Sequence, residues 1–270
     1  MFFSLYVVST PIGNLQDISI RALDVLKNVD IVLCEDTRIS ARLFQKYDIR
    51  TSLMVYNDHN ATQIVPKIID LMLHQNKVFA LISDAGTPLI CDPGYKLVNA
   101  CIKNNLSYTV IPGVSAAISA LILSGLPSDK FMFAGFVGKN KFTDLVKINA
   151  TLIFYESPNR ILQTLLQMRE IFVNRTVAVV KEITKIHETT IRGQFSEVIE
   201  YFKANSVKGE FVILLSPPKI SEVEQLNELN PLISELVEKI SKRDLSNILS
   251  KYSGISKNAL YNYLMENYND

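Results

Sequence analysis

The sequence predicts an α/β protein of two domains with a cleft between them and a small helical extension at the carboxyl end. Three observations carry this expectation. Short apolar runs with strand punctuation alternate with stretches of helical period. The 270 residues are too many for one small core and suit two modest α/β domains. Beyond Ser216-Pro217-Pro218, which reads as a hinge, the strand-like runs stop and only amphipathic helical patterns remain. The boundaries expected from these shifts are residues 1–112, 113–218 and 219–270.

Leu5-Tyr6-Val7-Val8 reads as the first buried strand, left by the turn Ser9-Thr10-Pro11-Ile12-Gly13-Asn14. Asp17 or Ser19 can cap a helix whose inner face would carry Ile20, Leu23, Leu26 and Val29. Ile31-Val32-Leu33-Cys34 follows as a second strand, so the first thirty or so residues make a βαβ unit, which needs a right-handed crossover and gives a parallel sheet. The next helix places Arg38, Arg42 and Lys46 at spacing four, on one face. That stripe reads either as a phosphate-tracking surface or as an ordinary solvated face.

A helix over 61–74 leads to the apolar run Val78-Phe79-Ala80-Leu81-Ile82, the pattern of a buried parallel strand. It ends in Ser83-Asp84-Ala85-Gly86-Thr87-Pro88, followed by Asp92-Pro93-Gly94. Gly86 admits a backbone conformation closed to other residues, the prolines fix φ, and Asp84 brings a carboxylate to the end of the strand, where open α/β sheets bind ligands. A tight turn without a ligand is the alternative. Strand 108–111 then ends in Pro112-Gly113-Val114-Ser115-Ala116-Ala117, whose small residues permit close approach to a ligand.

A second strand series begins at Phe131, passes the basic loop Gly138-Lys139-Asn140-Lys141, and continues with Thr151 to Tyr155, Arg175 to Ile183, an extended return over 187–193, and Phe211 to Leu215. Helices are expected from Ile161 and over 197–204. In the tail, two helical segments meet at Ser253-Gly254-Ile255-Ser256; a helix-turn-helix and a helical appendage that packs on its own chain or a partner both fit this pattern.

Composition narrows the function. Hydrophobic residues at 48% and charged residues at 20% exclude the signature of disorder. A net charge of +1 excludes a generally basic nucleic-acid coat, so any RNA contact must come from a local patch. Cys34, Cys91 and Cys101 have no metal or disulfide spacing and read as packing residues of a reducing cytosol. His59 and His74 lack a second ligand at metal spacing, so no metal is expected. The amino terminus lacks a basic leader and no apolar run is long enough to span a membrane, so a soluble, cytoplasmic protein is expected. There is no G-x-G-x-x-G after a strand, no phosphate-cradling G-x-x-x-x-G-K-[ST] and no nucleophile elbow.

What remains is a set of Gly/Pro turns at strand ends that could face one cleft. Taken in order, Ser9 to Asp17, Glu35-Asp36-Thr37-Arg38, Ser83 to Pro88, Pro112 to Ala116, Phe154-Tyr155-Glu156-Ser157-Pro158 and Lys181 to Lys185 resemble the tetrapyrrole-methylase superfamily. Within it they are most similar to the ribosomal RNA small subunit methyltransferase I family, over residues 4–216. The resemblance implies a tetrapyrrole-methylase-like homodimer that binds S-adenosylmethionine between its α/β domains and methylates a cytidine ribose 2′-hydroxyl in 16S rRNA of the small ribosomal subunit. Porphyrin and corrin methylases carry Gly-Asp-Pro where this chain has Ser83-Asp84-Ala85, which argues against a tetrapyrrole substrate.

By position, the resemblance places the cofactor against Pro11, Gly13, Asp84, Ala85, Gly86 and Thr87. Ser115, Ala116 and Tyr155 complete its site. Glu156, Lys181 and Glu182 are the catalytic candidates, and Arg38, Arg42, Lys46, Arg160 and Lys185 are candidates for RNA phosphates. Glu156 and Arg160 could equally form a structural ion pair at spacing four. Two rival functions are a methyltransferase of the same superfamily acting on a tetrapyrrole or diphthamide-type substrate, and a non-catalytic RNA-binding or ribosome-assembly module.

Overall fold

The first five strands form one sheet, whose three inner members, apolar on both faces, are covered on both sides. In the computed structural model, which describes residues 3–138, 142–205, 207–219 and 222–268, they are β1 (Leu5–Val8), β2 (Ile31–Cys34), β3 (Ser52–Val55), β4 (Phe79–Leu81) and β5 (Tyr108–Ile111). They form a parallel sheet in the order β3-β2-β4-β1-β5. Residues alternate between its faces: Tyr6, Val8, Val32 and Ala80 pack under α1 (Ile20–Asn28) and α2 (Thr37–Lys46). Leu5, Val7, Leu33 and Phe79 pack under α3 (Ala61–Gln75) and α4 (Tyr95–Lys103). Ser19 caps α1 by accepting the Ala22 N–H at 3.1 Å, and Asp36 caps α2 by accepting that of Arg38. Ile20 departs from the expected inner face. It is the first helical residue and is 81% exposed.

The second sheet is mixed, in the order β6-β7-β10-β8-β9. Its strands are β6 (Phe131–Phe136), β7 (Thr151–Glu156), β8 (Val177–Lys181), β9 (Thr189–Gly193) and β10 (Phe211–Leu215). Only β6 and β7 run parallel. One face carries Leu152, Phe154, Val179 and Ile213 against α6 (Ile161–Ile171) and α7 (Phe195–Ala204). The other carries Ile153, Ala178, Val180 and Leu214 against α5 (Ala116–Ser124). Helix α5 leaves the first sheet and buries itself on the second, and Ile12 from the turn after β1 joins the same core. Both sheets belong to one compact unit, Met1–Pro217.

Residues Pro218–Asp270 form a second unit containing α8 (Glu222–Leu236), α9 (Lys242–Ser253) and α10 (Lys257–Asn267). Ile233, Leu245, Leu249, Leu260 and Leu264 make its core. Ser241 and Ser256 cap α9 and α10, and Gly254 at φ 76° ends α9, which accounts for the Ser-Gly-Ile-Ser punctuation of the sequence. The expected basic loop at 139–141 lies outside the described residues. No helix among the described residues is long and apolar enough to cross a membrane.

Candidate functional site

The carboxyl ends of β1, β4 and β5 lie side by side because β4 and β5 flank β1, and their three turns lock together. Thr10 and Gly86 exchange backbone hydrogen bonds of 2.8 and 3.0 Å, a one-residue antiparallel bridge that fastens the turn after β4 to β1. Gly86 sits at φ 83°. Thr87 Oγ1 lies 3.0 Å from Ser9 Oγ and donates to the Val114 carbonyl at 3.1 Å. The loop continues through Leu89 and Cys91, both with positive φ although neither is glycine. Two such residues store roughly 1–3 kcal/mol each, a strain found where a loop is held for a ligand.

These turns wall a cavity of about 480 Å³ closed on its far side by the second sheet. Asp84, Ala85, Gly86 and Thr87 line it from the first sheet, with Ser115 and Ala116 at the start of α5. Tyr155 and Glu156 line it from β7. Tyr155 is wedged edge-on between Phe133 and Phe136, and its hydroxyl accepts the Ala117 N–H at 3.2 Å. That N–H is one of the orphan donors of a helix start, and Ser115 makes no side-chain cap to it, so a tyrosine of the second sheet caps a helix that leaves the first. Tyr155→Phe is therefore expected to cost about 1–2 kcal/mol, read as a lower thermal midpoint. An unchanged midpoint would mean that the N–H finds water.

The charge of this cavity is one-sided. Among the described residues, Glu35, Asp84, Asp92, Glu156 and Glu210 line it and no Lys or Arg does, while Arg160 pairs with Glu156 and Lys185 with Glu210 from outside it. Burial, then the neighbouring Asp92 and Asp84, push Glu35 up to about 7. Burial pushes Asp92 up to about 6, with Asp84 adding to it against a hydrogen bond from Ser83. Burial also raises Asp84, whose Oδ1 accepts the Asp36 N–H at 3.2 Å. Carboxyls raised by burial and by one another, with no cation among the described lining residues, make a site that favours a positively charged guest. Glu35 and Asp92 belong to motifs that the sequence offers, Glu35-Asp36-Thr37-Arg38 and Asp92-Pro93-Gly94, but neither is among its candidate site residues, because nothing local tells that strand order brings both to Asp84. Cys91, expected as a packing residue, is exposed and lines the same cavity, on the positive-φ stretch of the loop.

A second cavity, of about 390 Å³, adjoins the first across Ile12, Asp84 and Ala85, which line both. Pro11 and Gly13 belong here and do not line the first, so the strand-end turns serve two cavities where a single cleft was expected. Arg42 and Lys185 line it too. Lys185 Nζ donates to Glu182 Oε1 at 3.0 Å and to Glu210 Oε2 at 2.8 Å. Burial acts to lower the Lys185 pKa, but those two carboxylates outweigh it and hold the ammonium above its ordinary range. Gly13 is required at this junction: a Cβ there would lie 2.7 Å from Thr184 Oγ1 and 2.8 Å from Lys185 Cγ. The Asn14 N–H donates to Thr184 Oγ1 at 3.0 Å, tying the two lobes together across 170 residues of sequence.

The other nominated residues are dispersed. The Glu156 side chain is fully buried and accepts from Ser157 N–H, Arg160 Nε and Thr164 Oγ1 at 2.6, 2.9 and 2.6 Å. Both its oxygens are engaged and Arg160 is its ion-pair partner. Glu182 sits at φ 53°; burial acts to raise its pKa, and the Glu210 N–H and Lys185 outweigh that and hold it low. Lys181 lies with its ammonium 5.9 Å from the Phe211 ring centre. Arg38 is clamped by Asp36, whose pKa this pair holds at about 2, and Lys46 lies over the Tyr47 ring; neither lines a cavity. Among the described residues no group of three or more His, Cys, Asp or Glu could hold a metal ion.

A parallel sheet joined to a mixed one, with a ligand-sized cavity at the strand ends between them, defines the class. Residues 4–199 match the family described as Tetrapyrrole (Corrin/Porphyrin) Methylases. The uroporphyrin-III C-methyltransferase from Thermus thermophilus, solved in complex with S-adenosylhomocysteine, shares the fold at a TM-score of 0.56 and 18% identity, covering 78% of this chain and 96% of that one. Closer in sequence is the ribosomal RNA small subunit methyltransferase I of Rickettsia prowazekii, 49% identical over 83% of this chain and 81% of its own length. Its namesake in Mesorhizobium japonicum is 40% identical over 97% of this chain and 92% of its own. Within the tetrapyrrole methylases, the chain belongs to the ribosomal RNA small subunit methyltransferase I family.

Proposed function

We propose that this chain transfers the methyl group of S-adenosylmethionine to the ribose 2′-hydroxyl of a cytidine in 16S rRNA of the small ribosomal subunit. The observation that carries the reading is the division of charge between adjoining cavities. Among the described residues, the first is lined by carboxylates and by no Lys or Arg, and the second by Arg42 and Lys185 beside the shared Asp84. The first fits the cofactor: it has the volume of a small-molecule site, and Asp84 and Asp92 favour positive charge. When bound, S-adenosylmethionine supplies a methyl carbon made electrophilic by its sulfonium. Asp84 and Asp92 would hold the positive end, Ala85 and Thr87 would border it on the turn that Gly86 fastens to Thr10, and Tyr155 and Phe136 wall the site from water.

Residues of the second cavity would manage the acceptor. A ribose hydroxyl is a weak nucleophile, and as its oxygen loses a proton negative charge develops on it. Lys185, kept protonated by Glu182 and Glu210, would stabilise that charge. Glu182 then acts through Lys185 as a positioning residue, and Glu156 serves to anchor the turn at Ser157. The chain would work as a homodimer: Tyr108 and Val110 on edge strand β5, and Ile118 and Ile122 on α5, are exposed apolar residues that a second copy would cover.

Calorimetry checks the cofactor site. Affinity for S-adenosylmethionine is expected to tighten roughly five- to tenfold between pH 5.5 and pH 8 with net proton release, because raised carboxyls ionise to meet the cation. The sign is opposite for an anionic guest. Incubating wild-type protein and cofactor with undermethylated small subunits, then mapping 2′-O-methyl positions, checks the acceptor. Methylation elsewhere than a cytidine ribose, or of a corrinoid precursor in preference, would overturn it.

A further inference from the structure

We propose that the second cavity receives a single nucleotide drawn out of the RNA stack, with its ribose against the shared wall of Asp84 and Ala85; this rests on the methyl-transfer reading above. Reacting groups must approach to roughly 3–3.5 Å, so an acceptor has to occupy space contiguous with a donor in the first cavity. The second cavity is such a space, joined through Ile12, Asp84 and Ala85.

Its shape excludes a stacked nucleotide. In an A-form helix the 2′-hydroxyls lie in a wide, shallow minor groove, a surface that a flat or convex protein face would meet. Here the acceptor side is a concave chamber of about 390 Å³, within the range of roughly 300–1,000 Å³ that encloses a small ligand. One nucleotide fits such a chamber; a base-paired segment does not.

Its chemistry suits the nucleotide. Arg42, from α2, makes no ion pair among the described residues and stands exposed at the cavity, free to meet a phosphate of the strand, while Lys185 on the other lobe stays with the ribose oxygen. Between them Leu15 and Ile39 give aliphatic surface for the face of a base, and Ile39 is 43% exposed, open to a guest. The chamber is built before RNA arrives: the Tyr47 hydroxyl donates to the Leu15 carbonyl at 2.7 Å, and Gly13 and Asn14 are packed on Thr184 and Lys185. Unstacking the nucleotide costs free energy, which these contacts must return.

The test uses the full chain, S-adenosylhomocysteine and a short RNA hairpin carrying a fluorescent cytidine analogue at the acceptor position. Base fluorescence is expected to rise severalfold on binding to wild type, and Ile39→Trp, which fills the chamber from an exposed position, is expected to remove the rise. The same variant should raise KM for RNA by more than about tenfold with kcat changed less, while calorimetric affinity for S-adenosylmethionine stays within about twofold. An acceptor locked in a stable duplex should be methylated at under about a tenth of the rate of a mismatched one. Methyl transfer with no fluorescence change, or equal rates on locked and mismatched RNA, overturns the inference alone. Absence of transfer to both RNAs and to undermethylated small subunits overturns the functional reading and the inference with it.

Discussion

Arg175→Met is expected to destabilise the protein by about 3–5 kcal/mol, a fall in thermal midpoint of roughly 6–20 °C for a unit of this size. Arg175 is 2% exposed, and among the described residues no carboxylate is a hydrogen-bond partner. Its guanidinium donates instead to backbone carbonyls: Nη1 to Ala150 and Ser216 at 2.9 and 2.7 Å, and Nη2 to Val146 and Ile148 at 3.0 and 2.5 Å, with Leu145 at 3.4 Å. The Phe172 ring lies 5.6 Å away. Burial lowers the pKa to about 10, so the group is still charged at neutral pH, and five carbonyl dipoles replace its hydration. One side chain thereby ties the end of β10 to the segment leading into β7. Methionine fills the volume and leaves those carbonyls unsatisfied, and Arg175→Lys cannot recover the fork geometry. A loss below about 1 kcal/mol in urea unfolding would show that water replaces the guanidinium.

Asp84→Asn and Asp92→Asn are each expected to weaken S-adenosylmethionine binding by roughly 10- to 100-fold at pH 8, since each removes a part-buried negative charge facing the cation. Stability separates this from a structural effect. A carboxyl whose native pKa lies above its unfolded value binds more protons folded than unfolded, so the stability it contributes falls as pH rises through that window. For Glu35 and Asp92 the window runs from about 4 to about 7. Neutralising Asp84 removes one source of the repulsion, so at pH 8 the variant is expected to be as stable as wild type or more so, and its pH dependence of binding to move to lower pH. Weaker binding together with lower stability would instead make Asp84 a structural link through its bond to the Asp36 N–H.

These two residues mark how far the sequence can be read. Asp84 announces itself, because a carboxylate in a Gly/Pro turn after a buried run is a local pattern. Arg175 does not: a cation before a strand usually faces water, and its five acceptors are 25 to 41 residues distant. Glu156 and Arg160 were legible as an ion pair from spacing four, but not the Thr164 hydroxyl that completes the pair. The stripe Arg38, Arg42, Lys46 was legible as one helix face, but Asp36 claims Arg38 and the Tyr47 ring engages Lys46, leaving Arg42 at the cavity.

What the sequence determined by itself is everything set by short-range chemistry: the buried strands, the capped helices, the turns that need Gly or Pro, and the helical tail. Periodicity, capping and φ restrictions act within a few residues and leave their mark in composition. What only the tertiary structure decided is which turns meet: that β4 inserts beside β1, that Glu35 and Asp92 crowd Asp84, that Gly13 abuts Lys185, and that one wall divides two chambers. Those contacts join residues from 8 to 172 positions apart. Their free energy comes from packing and desolvation among groups that share no local pattern, so it becomes readable only once strand order is fixed.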